Sequence, residues 1–119
     1  MNPTLTAARH LHLDIELNPE NQFHYRIRGE DTHRVVLHRG DAITFTCADP
    51  FSIHFSGRPP FHEGTQHSHR EAVLQAHEWF VTAHVREDAP FGIYPYAVEV
   101  TRDSHTLHDH PEIVIDSAA

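Results

Sequence analysis

At 119 residues the chain has room for one domain with a single hydrophobic core and none for a second. No apolar run approaches the roughly 20 residues of a membrane span. Nine Arg and no Lys against 17 acidic residues give a formal charge of -8, which disfavours non-specific binding to nucleic-acid phosphates or anionic lipid. The 14 His complicate this balance, because their protonation would turn the net charge positive and make solubility and self-association pH-sensitive. Cys47 is the only cysteine, so an intramolecular disulfide and Cys-rich zinc or redox motifs are excluded. The first ten residues lack the basic start and apolar stretch of a secretory signal, and a cytoplasmic location is expected.

In chain order, Leu11, Leu13, Ile15 and Leu17 alternate with His12, Asp14 and Glu16. Phe23, Tyr25 and Ile27 alternate with His24, Arg26 and Arg28. This is the period-2 pattern of half-buried strands. The intervening Asn18-Pro19-Glu20-Asn21 reads as a turn, and a hairpin here would set Glu16 opposite His24 and Asp14 opposite Arg26. The pattern recurs at Val35 to His38. After the Arg39-Gly40-Asp41 turn, Ile43, Phe45 and Cys47 face one side, and Phe51, Ile53 and Phe55 continue the alternation. A loop rich in Gly, Pro and His follows from Ser56 to Arg70.

Glu71 to Arg86 is ambiguous between helical and strand spacing, with a strand favoured from Trp79 onward. Asp88 to Gly92 breaks the chain, Tyr94, Tyr96, Val98 and Val100 alternate again, and Ile113 to Ile115 closes it. The expectation is an all-β Greek-key sandwich of seven to nine short strands with little helix, spanning residues 9–116, with loose ends at 1–8 and 117–119.

Two segments, Gly40 to Phe55 and Gly92 to Val100, resemble the frame of a cupredoxin, the β-sandwich family of small blue-copper proteins. In copper-bearing members a strand of the Pro-His-x-Ile-x-Phe type carries the first ligand; here Pro50-Phe51-Ser52-Ile53-His54-Phe55 sets Phe51 at that position. The family's Gly-x-Tyr-x-Tyr-x-Cys strand is matched by Gly92-Ile93-Tyr94-Pro95-Tyr96-Ala97-Val98, with Val98 where the thiolate would be and no Met after it. A blue-copper centre requires that thiolate. The chain is similar instead to copper-free cupredoxin-like proteins without assigned activity. They share the Arg58-Pro59-Pro60-Phe61 loop and a terminal strand like Pro111-Glu112-Ile113-Val114-Ile115. The resemblance therefore implies the architecture and no copper cofactor, and it assigns no function.

Other chemistry is sparse. His105, His108 and His110 fall where a cupredoxin would hold its metal, and neutral imidazoles there could bind Cu(II), Zn(II) or Ni(II). The alternative is a solvated loop in a chain that is rich in His throughout. His67 and His69 with Glu71 invite comparison with cupin metalloenzymes, but the spacing is too short and the second cupin motif is missing. His10 and His12 share a strand face. No nucleophile elbow surrounds Ser52, Ser56, Ser68 or Ser104. Arg58, Pro60, Phe61 and Phe91 lie in expected loops, where an apolar cluster could dock a protein. The expectation is thus a non-enzymatic module that binds a protein partner or itself, with neither nucleic acid nor membrane as partner. A divalent transition metal on surface His is the alternative.

Overall fold

The computed structural model describes residues 8–62, 73–75 and 78–117. They form β1 (His10–Leu17), β2 (Phe23–Ile27), β3 (Glu30–Asp31), β4 (Arg34–Leu37), β5 (Ala42–Cys47) and β6 (Phe51–Phe55). There follow β7 (Val73–Gln75), β8 (Glu78–His84), β9 (Gly92–Arg102), β10 (His105–Asp109) and β11 (Glu112–Ile115). One sheet has the order β3-β2-β1-β5-β8-β7, and the other carries β10, β9, β11 and β4 with β6 also paired to β9. The architecture is a two-sheet β-sandwich, all-β as the alternation predicts. The strands number more than nine because two short edge pieces, β3 and β7, extend the first sheet and because Pro111 splits what is otherwise one strand.

That split has a simple geometry. β10 pairs with the C-terminal half of β9 and β11 with its N-terminal half, Asp109 opposite Val98 and Glu112 opposite Pro95. Between them the Tyr96 amide donates to the Pro111 carbonyl at 3.1 Å, so the register is unbroken and His110 lies opposite Ala97. Pro111 has no N–H to give the ladder. β9 is thus flanked by β6 from Tyr96 to Val100 on one side and by β10 followed by β11 on the other.

Alternation becomes packing in the core. Leu13, Ile15 and Tyr25 from β1 and β2 join Ile43, Phe45 and Cys47 from β5 and Val81 and Ala83 from β8. They meet Val35, Leu37, Phe51, Ile53, Tyr96, Val98, Val100, Ile113 and Ile115 of the facing sheet. Aromatic rings fill the middle: Tyr96 stacks on Phe55 and meets Phe45 edge-on, with centroids 5.5 and 6.0 Å apart. The expected register of the first hairpin is observed, with Asp14 opposite Arg26 and Glu16 opposite His24. The ion pairs run diagonally, however. Arg26 Nε donates to Glu16 at 2.9 Å, while Asp14 accepts from the Thr46 hydroxyl on the neighbouring β5. The longer arginine reaches past its direct partner.

Two turns fix the frame. Asp41 N–H bonds the His38 carbonyl at 3.0 Å across Arg39-Gly40, and Gly40 adopts φ +86°. A Cβ there would stand 2.8 Å from a Glu87 carboxylate oxygen, the tip of a flexible side chain that can move aside, so it is the backbone conformation that calls for glycine. Between β9 and β10, Asp103 (φ 51°) and Ser104 (φ 66°) form a two-residue turn with positive φ at both positions, the arrangement that matches strand twist in a tight hairpin. The stretch 78–84 is strand, and the helical alternative for it is discarded. β8 pairs with β5 from Ala42 to Cys47, where each inward residue meets the core.

Candidate functional site

Phe51 and Val98, the two positions where the resemblance expects copper ligands, lie on neighbouring strands. β6 and β9 are antiparallel with Phe51 opposite Val100 and Ile53 opposite Val98. Phe51 and Val98 are both buried in the core. Neither hydrocarbon side chain offers a donor atom. Cys47, 4% exposed, sits on β5 in the opposite sheet, and burial pushes its thiol above the ordinary value. A protonated, covered thiol is a poor nucleophile and a poor ligand.

The polar group beside Val98 is Asp109, its cross-strand neighbour. Asp109 accepts a 2.7 Å hydrogen bond from the Tyr25 hydroxyl of the facing sheet, and His33 Nε2 lies 3.8 Å from the same carboxylate oxygen. Burial first, and the adjacent Asp109 carboxylate second, hold the Tyr25 phenol far above its usual range. Tyr25 and Asp109 therefore tie the two sheets together as a neutral donor and an acceptor. Tyr96 is different: its hydroxyl is buried with no hydrogen-bond partner, and burial raises its pKa strongly. Deleting an unpartnered buried hydroxyl removes a desolvation cost. Tyr96→Phe should leave the protein as stable or more stable by up to about 1 kcal/mol, measured by urea unfolding, whereas Tyr25→Phe should destabilise it.

His105, His108 and His110 lie on and just beyond strand β10, not in a loop. Strand alternation then sends His108 and His110 to the outer face of the sheet, while His105 shares the other face with Leu107 and Asp109. Across β9, His108 is opposite Glu99. On the far side of β9, Ser52 is opposite Glu99 and His54 is opposite Ala97. Two outward-facing rows result, Ser52–Glu99–His108 and His54–Ala97–His110. The second row borders a cavity of about 260 Å³ lined by His54, Ser56, Pro95, Ala97 and His110 among others.

Sequence reasoning did not link His54 or Glu99 to the terminal His, because strand partnership is not written in local spacing. Among the described residues no three donors converge as they stand to hold a metal. His67 and His69 lie outside the described residues. His10 and His12 stack with ring centroids 4.7 Å apart, and His10 Nε2 is engaged with the Thr44 hydroxyl at 2.7 Å.

Ser52, His54 and Glu99 have the composition of a catalytic triad without its geometry. Ser52 Oγ is 3.0 Å and Glu99 Oε2 2.7 Å from the same nitrogen, His54 Nε2. Relay through an imidazole requires the nucleophile on one ring nitrogen and the acid on the other.

The docking residues read from the sequence divide. Pro60 and Phe61 are buried, Phe61 at 1% exposure, and are withdrawn from any docking surface. Phe61 meets Phe55 edge-on at 5.7 Å and bridges to Val85. The loop is drawn in by Arg86, whose N–H donates to the Pro60 carbonyl and whose Nη2 donates to that of Pro59. Arg58 is exposed. Phe91 is 54% exposed, with the Arg39 guanidinium stacked 4.0 Å over its ring.

Two neighbours were missed. Ile93 and Val36 are 53% and 45% exposed, and both pair with Val114, making one outward row Ile93–Val114–Val36 across β9, β11 and β4. Their alternation signal was visible, but which strands stand side by side was not.

No family model and no curated protein matches the sequence. Among solved structures, the chain is similar to rusticyanin, a cupredoxin, at 12% identity and a TM-score of 0.46 over 94% of this chain and 80% of that one.

Proposed function

We propose that the chain is a copper-free, non-enzymatic cupredoxin-like domain that works by pairing with a second copy of itself through the outer face of β9, β11 and β4. The observation that carries this reading is the exposed apolar row Ile93–Val114–Val36, with the exposed Phe91 two positions before Ile93 in the chain. Three strands presenting aliphatic side chains to water at one level form a contiguous patch rather than scattered exposure. The next row is Pro95–Glu112–Arg34, where Arg34 and Glu112 pair at 2.7 Å. Opposite charges side by side at the border of an apolar row are self-complementary: a two-fold axis sets each Arg34 against the other copy's Glu112.

Face pairing is also favoured over edge pairing. β4 is an edge strand, but its outward carbonyls are already engaged, Val36 O by Arg9 Nη2 at 3.3 Å and Arg34 O by the Thr32 hydroxyl at 2.8 Å. The absence of copper rests on Phe51 and Val98 at the ligand positions and on Cys47 in the other sheet. The absence of catalysis rests on the Ser52–His54–Glu99 geometry.

Sedimentation velocity over a concentration series tests the pairing. The wild type should show a reversible monomer–dimer equilibrium, and Ile93→Glu should weaken it about tenfold or more, since a carboxylate would be desolvated in the contact. A wild-type chain that stays monomeric at millimolar concentration would refute the reading, as would a dimer indifferent to Ile93→Glu.

A further inference from the structure

The outer faces of β6, β9 and β10 bring together four donor side chains that are far apart in the sequence. His54 and Glu99 are in contact, Nε2 to Oε2 at 2.7 Å. His108 is the direct cross-strand neighbour of Glu99. His110 follows two positions later on the same face, opposite Ala97, which is itself opposite His54. We infer that these two rows form a divalent transition-metal site, taking Zn(II) through His54, Glu99, His108 and His110.

The argument is one of reach. Neighbouring strands lie about 4.8 Å apart, so His54 and His110 are separated by roughly 10 Å across β9. The residue between them is alanine, whose methyl leaves room above β9, among the described residues, for two imidazoles to lean inward. Glu99 reaches the same space from two residues along β9, and His108 from two residues before His110. Three imidazoles and a carboxylate are a donor set for Zn(II), with Cu(II) and Ni(II) as competitors. Nitrogen and oxygen ligands of a tetrahedral zinc ion, at about 2.0–2.2 Å from the metal, stand roughly 3.3 Å apart. To admit the ion, the His54–Glu99 contact therefore has to open by about 0.6 Å and the Ser52 hydroxyl, 3.0 Å from the same nitrogen, has to turn away.

His108 and His110 are exposed and close the site by side-chain rotation. Rotation of an exposed side chain between staggered rotamers is a small cost beside the metal bonds gained. The backbone need not move, because the ladder on both sides of β9 fixes all four positions. His105, on the opposite face, has no part in the site.

Calorimetric titration of metal-free protein with Zn(II) at neutral pH tests this. The expected result is one ion per chain at sub-micromolar affinity, weakened about 100-fold or more by His54→Ala, Glu99→Gln or His108→Ala. Unchanged binding is expected in His105→Ala and in the double variant His67→Ala/His69→Ala. Glu99→Gln keeps a hydrogen-bond acceptor for His54, and circular dichroism of each variant separates lost binding from lost folding. Co(II) in place of Zn(II) should give the intense visible d–d bands of a four-coordinate centre.

Several weak equivalents, or tight binding that survives loss of His54 and Glu99, would overturn the inference. So would binding that disappears with His67 and His69. Repeating the titration on Ile93→Glu distinguishes failure of the metal site from failure of self-pairing, since the two reside at opposite ends of the sheet face.

Discussion

Phe61→Ala should lower the unfolding free energy by about 3–5 kcal/mol, the usual cost of emptying a fully buried phenylalanine position. The ring sits at 1% exposure, edge-on to Phe55, in a loop tethered by Arg86 to the carbonyls of Pro59 and Pro60. Truncation leaves a cavity that this tethered loop closes only in part, so the loss adds a void to the forfeited transfer energy. Urea unfolding should show a lower midpoint with little change in slope. A variant as stable as the wild type would mean that the ring is not a core element. The same substitution should leave the monomer–dimer constant of the folded fraction unaltered, in contrast to Ile93→Glu.

Asp41→Ala is expected to cost about 3 kcal/mol, because one buried carboxylate serves several donors at once. It accepts from Arg9 N at 2.9 Å, from Arg9 Nη2 at 2.7 Å and from His38 N at 2.8 Å, and only 2% of it is exposed. Without it, the amides of Arg9 and His38 lose their partner, and the turn before β5 loses its anchor to the start of β1. Burial alone would raise the Asp41 pKa, but the hydrogen bonds and charge of Arg9 outweigh it, and the net shift is downward. A carboxyl depressed in the folded state contributes stability that is fully present above its unfolded pKa, about 3.9. That contribution is lost as the pH falls through the lower folded value. Acid unfolding of the wild type should therefore include a component in that window, and the component should be missing in Asp41→Ala. An identical acid profile for the two proteins would exclude this role.

The strands were legible because alternation is a local property. Leu13 and Ile15, Ile43 and Phe45, and Val98 and Val100 advertise their inward face within a few residues. The rest depended on contacts between distant residues. Pro59-Pro60-Phe61 carries every compositional mark of a surface loop; its burial is decided by Arg86, 26 positions after Pro60, and nothing near the loop announces that partner. His105 to His110 read as a ligand-bearing loop because Asp103-Ser104 is a weak turn signal. Asparagine or glycine usually supplies the two positive φ values such a hairpin needs. Likewise Val36, Ile93 and Val114 are unremarkable singly. They become a patch only when β9, β11 and β4 are placed side by side, and the same holds for His54 and Glu99 with His108.

The position of β11 bears on how the chain is assembled in time. This strand lies between β9 and β4, antiparallel to one and parallel to the other, with Ile113 beside Tyr94 and Val35. During synthesis β4 leaves the ribosome long before β11, its only ladder partner among the described residues, exists, and must wait through some seventy further residues with both edges bare. Such late closure of a parallel pair is intrinsically slow. Nascent chains halted before residue 112 should accordingly engage holdase chaperones, and release from them should coincide with emergence of the final strand.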